Sequence, residues 1–253
     1  MLGIPLAISD YREVVDWMLA TIAARRRAYL TAAAVNLVMS AREDPDTLAA
    51  VLGATLAVPD GMPLVWALRA LGHHGATRIY GPDLMLSCCA RAAPAGTPMY
   101  LYGGRTPAAL EQLERRLSAR FPGLRIVGRH SPPFRELSGE EERRAIADIE
   151  ASGAQLVWVG TGQPKQERWM ARMRPLLSAP MLVGVGAAFD FHAGLVPQAP
   201  AWRQRRGLEW TYRLAGEPRR LWRRYARYNP RFLAGFARQY AGHRLAGRTG
   251  ARR

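Results

Sequence analysis

Only two cysteines occur in the chain, and they are neighbours, Cys88 and Cys89. Adjacent half-cystines are poor bridge partners, and no Cys or His spacing typical of zinc is present, so neither a disulfide scaffold nor a zinc fold is expected. Both thiols read as small packing residues. No apolar run approaches the roughly eighteen residues needed to span a bilayer, and the N-terminus lacks a basic region followed by an apolar core and a cleavage site. A cytoplasmic protein is expected. Acidic residues are also scarce, 20 Asp and Glu against 36 Lys and Arg, for a net charge of +16. The imbalance is local: from Trp202 to Arg253 there are fifteen arginines and two acids, Glu209 and Glu217, a net of +13 that leaves the first 201 residues near neutral at +3. A basic tail on a neutral body points to a surface aimed at an anionic partner such as lipid, nucleic acid or polyphosphate. No helix-turn-helix, zinc or RNA-binding signature accompanies it, which argues against nucleic acid.

What is present is an alternation of short apolar runs with helical segments. A chain of 253 residues, 49% of them hydrophobic, can bury a real core as one large α/β domain with an appendage. The stretch Gln155 to Asp190 is the most informative. Leu156–Val159 and Met181–Val185 have the length and flanking glycines of buried strands, with about twenty residues of helical segment between them. Ligands of such strand-helix-strand units bind outside the carboxyl ends of the strands. Here Gly160, Thr161 and Gly162 lead into Pro164, which suits a first helical turn, so Lys165, Gln166 and Glu167 fall at that edge.

The same grammar runs upstream. Asp10 and Glu13 have capping-box spacing ahead of an apolar stripe, Ala28–Val35 reads as a strand, and a helix follows from about Asn36. Asp44-Pro45-Asp46 has the D-x-D form that metal-dependent sugar transferases use, but an N-cap followed by Pro in the first turn explains it more simply. The strand Thr55–Val58 delivers Pro59-Asp60-Gly61 to its carboxyl end, where Asp60 suits either proton abstraction or an N-cap. Arg78–Asp83 opens another helix. After the strand Pro98–Tyr102, the run Gly103-Gly104-Arg105-Thr106-Pro107 offers free backbone N–H groups and a positive helix end, a workable diphosphate cradle. Leu124–Val127 is a further strand and Ser138–Ala151 a capped helix. This order predicts a mostly parallel, Rossmann-like α/β sheet with helices on both faces.

Beyond Asp190 no strand is evident. Helices are expected to start at Gly216-Glu217-Pro218 and again at Asn229-Pro230. Leu221, Tyr225, Tyr228, Phe232, Phe236 and Tyr240 form a stripe at helical spacing, accompanied by Arg219, Arg220, Arg223, Arg224, Arg227 and Arg231. The stripe suits core contact, and its arginines beside Trp222 and tyrosines suit an anionic membrane surface, at about 1 kcal/mol per basic residue. The expected division is residues 1–200 as the α/β domain, 201–243 as an amphipathic basic appendage, and 244–253 as a disordered tail.

Several separated motifs carry a family resemblance. Gly160, Gln163-Pro164-Lys165-Gln166-Glu167, Gly186-Ala187-Ala188-Phe189-Asp190, Ala199-Pro200, Gly207-Leu208-Glu209-Trp210, Tyr212-Arg213-Leu214 and Glu217-Pro218-Arg219 occur in order, after Pro59-Asp60-Gly61 and Arg78-Ile79-Tyr80-Gly81-Pro82-Asp83. Over roughly residues 31–232 the chain resembles glycosyltransferase family 26, the bacterial WecG/TagA/CpsF family. The resemblance implies a metal-independent inverting transferase with no cofactor. It would move a sugar, often N-acetylmannosamine, from a UDP-sugar co-substrate to a saccharide on undecaprenyl diphosphate at the inner face of the membrane. It also implies that Asp60 is the general base and that the appendage docks at the membrane and contributes Arg213, Arg219 and Arg220.

Such a transfer needs a base for the acceptor hydroxyl, positive charge for the departing diphosphate, and donors that fix the sugar. Asp60 suits the first, Arg78, Lys165 and helix N-termini the second, and the amide of Gln166 the third. Asp190 suits a sugar or ribose hydroxyl, or orients the preceding glycine loop. One departure stands out: the asparagine usual in the family just after the first strand falls on Ala33 or Ala34 in Thr31-Ala32-Ala33-Ala34-Val35-Asn36. Asn36 can substitute from the next turn, the donor can differ (UDP-glucose or a UDP-uronic acid), or activity can be lost, leaving a nucleotide-binding scaffold. If the appendage orders only on a membrane, the soluble form is expected to self-associate as a homo-oligomer through the surface the appendage covers.

Overall fold

The computed structural model describes residues 1–250, with the side chains of residues 220 and 247–250 outside that description. Six parallel strands form one sheet: β1 (Ala28–Ala33), β2 (Leu56–Pro59), β3 (Pro98–Gly103), β4 (Arg125–His130), β5 (Leu156–Gly160) and β6 (Met181–Gly184), in the order β2-β1-β6-β5-β3-β4. Successive residues point to opposite faces of a strand. Met99, Leu101, Leu156, Trp158, Met181 and Val183 accordingly join one core, and Tyr100, Tyr102, Val157, Val159 and Leu182 the other. Both faces are covered, as the sequence predicted for a Rossmann-like sheet. The first is covered by α1 (Tyr11–Ala23), α5 (Gly81–Ala92), α6 (Pro107–Arg120) and α9 (Ala188–His192), the second by α7 (Gly139–Ala151) and α8 (Lys165–Met173).

Local signals fix the helix starts. Asp10 and Glu13 close a capping box on α1, and Ser138 and Glu141 close one on α7. Asp44 caps α3 (Pro45–Leu52) by accepting from the Thr47 N–H at 2.7 Å, so the D-x-D run is a helix start. Thr106 caps α6, with Pro107 in its first turn. Helix α2 (Val35–Glu43) follows β1, and α4 (Met62–Ala70) follows β2.

Three boundaries differ from expectation. Between β5 and β6 the helix is nine residues long rather than about twenty. Pro175 ends it, and the guanidinium of Arg174 then holds the returning chain by donating to the carbonyls of Ala28, Leu177 and Ala179. After α10 (Ala201–Arg205) and α11 (Glu209–Gly216), one helix, α12, runs from Pro218 to Gly250 with Pro230 inside it. The helix start expected at Asn229-Pro230 is absent because Leu221 and Phe232, on either side, are both buried and hold one continuous helix. Helix α12 also continues into the expected tail, where Leu245 and Ala246 propagate an existing helix at low cost; residues 251–253 lie outside the described residues.

The aromatic stripe of α12 is core in part. Phe232 packs with Leu2, Ile4 and Val38, and Ser40 donates to the Tyr228 hydroxyl at 3.2 Å. Arg227 and Arg231 both pair with Glu43 of α2. Trp222 and Leu233 remain exposed.

Candidate active site

The carboxyl ends of β1, β2, β3, β5 and β6 open onto a cavity of about 690 Å³. It is the edge the strand-helix-strand reading pointed to. Two glycines bring its walls together. Gly103, at φ +135, lies against Gly160, where a Cβ would stand 2.5 Å from the Gly160 carbonyl carbon. Gly104 and Gly160 line the cavity; Gly103 lies just behind them and closes β3 onto β5.

Asp60 lies one residue past β2, its N–H donating to the Ala33 carbonyl at 2.8 Å. It is not a helix cap, because Gly61 occupies the N-cap of α4. The residue reaches the cavity wall, yet its Oδ1 is buried without a hydrogen-bond partner. Burial pushes its carboxyl up to about 7; Arg78 opposes the shift and Glu209 adds to it. A carboxyl balanced near neutrality, with an oxygen to spare, is suited to take a proton.

Arg78 does not line the cavity. Its Nε donates to the Asp60 carbonyl at 2.5 Å, its Nη2 pairs with Glu209 of α11 at 2.5 Å, and its guanidinium lies 4.0 Å over the Tyr80 ring. It fixes the backbone of Asp60.

Gln166 is likewise turned inward. Fully buried, it accepts from the Gly186 N–H at 3.0 Å and donates to Glu167 Oε1 at 2.9 Å. The Thr31 hydroxyl donates to the same oxygen at 2.7 Å, so Thr31, Gln166 and Glu167 brace β1, α8 and the glycine loop after β6 from behind. Gly184 allows the approach, since a Cβ there would stand 2.8 Å from Gln166 Nε2. Glu167 Oε2 is buried without a partner, and burial pushes this carboxyl up to about 7 against the pull of its hydrogen bonds to Thr31 and Gln166. A carboxyl raised in the folded state binds more protons there than in the unfolded chain. The protein is therefore expected to lose stability as pH rises from about 4.5 to about 7 and to change little above that. Glu167→Gln should flatten the slope, leaving the part due to Asp60; urea denaturation across that range measures it, and an unchanged slope would refute the raised Glu167 carboxyl.

The cavity rim is basic. Lys165, the only lysine in the chain, donates to the Phe134 carbonyl at 3.2 Å. Arg168 and Arg172 share its face of α8 at helical spacing, pairing with Asp44 and Glu142. Arg105 pairs with Asp190 at 2.9 Å and Glu217 at 3.2 Å, so Asp190 reaches the cavity already bound to a guanidinium. Arg213 of α11 lines the wall with its guanidinium 5.7 Å from the Phe191 ring centre. Asn36 lines the cavity beside Ala34. Arg219 is exposed on α12 away from the lining, and the side chain of Arg220 lies outside the described residues. Tyr102 and Trp169, stacked at 4.0 Å, form an aromatic wall.

Arg105, Arg168, Arg172 and the aromatic pair carry no role in the sequence-based expectations above. Arg105 directly follows the glycine turn, and Lys165, Arg168 and Arg172 repeat at three and four residues, which is the signal that finds them. Among the described residues no group of three or more His, Cys, Asp or Glu is placed to hold a metal ion.

A cavity at a parallel sheet edge, a basic rim and a carboxyl balanced near neutrality fit transfer from an anionic, nucleotide-like donor. A family model described as the glycosyl transferase WecG/TagA/CpsF family matches residues 1–246. The match spans nearly the whole chain, sheet and C-terminal helices alike, and the chain belongs to the WecG/TagA/CpsF family of glycosyl transferases.

Proposed function

We propose that this transferase moves a sugar of N-acetylmannosamine type, with inversion and without a metal, from a UDP-sugar to a saccharide carried on undecaprenyl diphosphate. The product would feed an exopolysaccharide or another cell-surface polymer. The acceptor hydroxyl attacks the anomeric carbon, the bond from that carbon to the diphosphate breaks, UDP leaves, and the hydroxyl proton passes to Asp60. The observation that carries the reading is the Asp60 carboxyl at the cavity wall, with Oδ1 unpartnered and its proton affinity raised to about 7. Lys165, Arg105 and Arg213 supply charge for the diphosphate. Arg219, Arg223 and the exposed Trp222 and Leu233 of α12 suit peripheral docking on an anionic inner membrane face. No helix among the described residues is long and apolar enough to cross a membrane.

Alanine at 33 and 34, where the family resemblance leads one to expect an amide at one or the other, favours testing other donors as well; Ala34 lines the cavity. The experiment supplies UDP-N-acetylmannosamine, UDP-glucose or UDP-glucuronic acid with a lipid-diphosphate disaccharide in anionic vesicles. UDP release and the anomeric configuration of the product are followed with and without EDTA. One donor should react, with inversion, at a rate EDTA leaves unchanged. Retention, or loss of turnover in EDTA, would contradict the mechanism; UDP binding without release from any donor would favour the scaffold reading.

A further inference from the structure

Glu209 is a largely shielded acid on the C-terminal helices that reaches back into the α/β domain. Its side chain is 12% exposed and its partner Arg78 is 16% exposed, so solvent screens the pair little. One carboxylate oxygen pairs with Arg78 Nη2 at 2.5 Å and the other accepts from the Tyr80 hydroxyl at 2.7 Å. Arg78 in turn donates from Nε to the Asp60 carbonyl and lies over the Tyr80 ring. Both oxygens of Glu209 are thus used, and neither Glu209 nor Arg78 lines the cavity. The arrangement joins three segments, α11, the connection into α5, and the turn after β2.

We infer that Glu209 is a positioning residue of the transferase site: acting through Arg78, it locks the C-terminal helices to the turn that carries Asp60. The inference rests on Asp60 being the base of the proposed reaction. On this account the C-terminal segment completes the surroundings of the base, besides offering an outer surface.

The charged and titratable groups around Asp60 are Tyr11 on α1, Arg78 and Tyr80 on the connection into α5, Asp83 on α5 beyond Arg78, and Glu209 and Arg213 on α11. Arg78 and Arg213 favour the ionised carboxylate, and Glu209 opposes it. Replacing Glu209 by Gln removes the opposing charge and frees Arg78 from its partner. Both changes act in the same direction, toward easier ionisation of Asp60.

The test is a titration of aspartate side-chain carboxyls by carbon-13 NMR on the full chain, with Asp60 assigned by the signal missing from Asp60→Asn. In Glu209→Gln the Asp60 midpoint is expected to fall by roughly one pH unit, at the lower end of what a neighbouring charge produces. Glu209→Asp, which keeps the charge, should return most of the way to wild type. If Glu209→Gln does not fold, Arg78→Gln removes the other half of the pair and should move the midpoint upward. A midpoint unmoved by the folded variant would overturn the role given to Glu209, since loss of packing alone would not shift it in these opposite directions. The titration needs no turnover, which keeps the two ideas apart: an Asp60→Asn protein turning over at the wild-type rate would overturn the base and leave the Glu209 result standing.

Discussion

Asp60→Asn is expected to lower kcat by roughly 10²- to 10⁴-fold, the usual contribution of a positioned general base. UDP affinity should stay near that of the wild type. The substitution is clean for a structural reason: Arg78 holds Asp60 through its backbone carbonyl, at 2.5 Å, so the turn keeps its anchor whatever the side chain. Asparagine fills the same space and cannot take a proton. Oδ1 has no partner to lose, so the substitution breaks no hydrogen bond at that atom. Steady-state UDP release in the presence of acceptor, beside calorimetry of UDP alone, separates the two effects. Loss of UDP binding in parallel with turnover would mean that Asp60 serves the donor site instead.

Gly103→Ala should be the most damaging single-methyl change in the site. At φ +135 a Cβ is strained, at roughly 1–3 kcal/mol for such a backbone state. That Cβ would also stand 2.5, 2.7 and 2.8 Å from the C, O and Cα of Gly160. Those are backbone atoms of the paired strand, so β3 and β5 must part, at a further cost of roughly 1–3 kcal/mol for overpacking. The walls at Gly104 and Arg105 move with them, and UDP binding should weaken alongside the fall in the urea midpoint. Gly153→Ala is the control: it also sits at positive φ, +66, with nothing within 4 Å of its added Cβ, and should cost only the strain. Equal effects at the two glycines would show that the approach of β3 to β5 does not matter.

The elements were legible because caps and apolar runs are local. Asp10 with Glu13, Asp44, and Ser138 with Glu141 start the helices where their side chains reach back to free N–H groups, and Pro45 suits the first turn after Asp44. The edge that carries the cavity is legible from the strand-glycine-helix order. Side-chain direction was harder. Gln166 and Lys165 are neighbours, yet on α8 they lie about 100° apart, and Gln166 joins Trp169, Met170 and Met173 on the buried face. The charge of Arg78 suits a diphosphate, whereas Glu209, 131 residues away, pairs with it; nothing local announces such a pair. The helix start expected at Pro230 failed because burial of Leu221 and Phe232 overrides one missing N–H.

The most direct test of the account is the pH dependence of kcat/KM for UDP release, measured on the wild type with the reactive donor and acceptor. The rate is expected to rise with pH through a single ionisation near 7, the value to which burial raises Asp60, and to keep this limb in Glu167→Gln. A rate flat from about pH 5 to 8, or a limb that disappears with Glu167, would contradict Asp60 as the group that takes the proton.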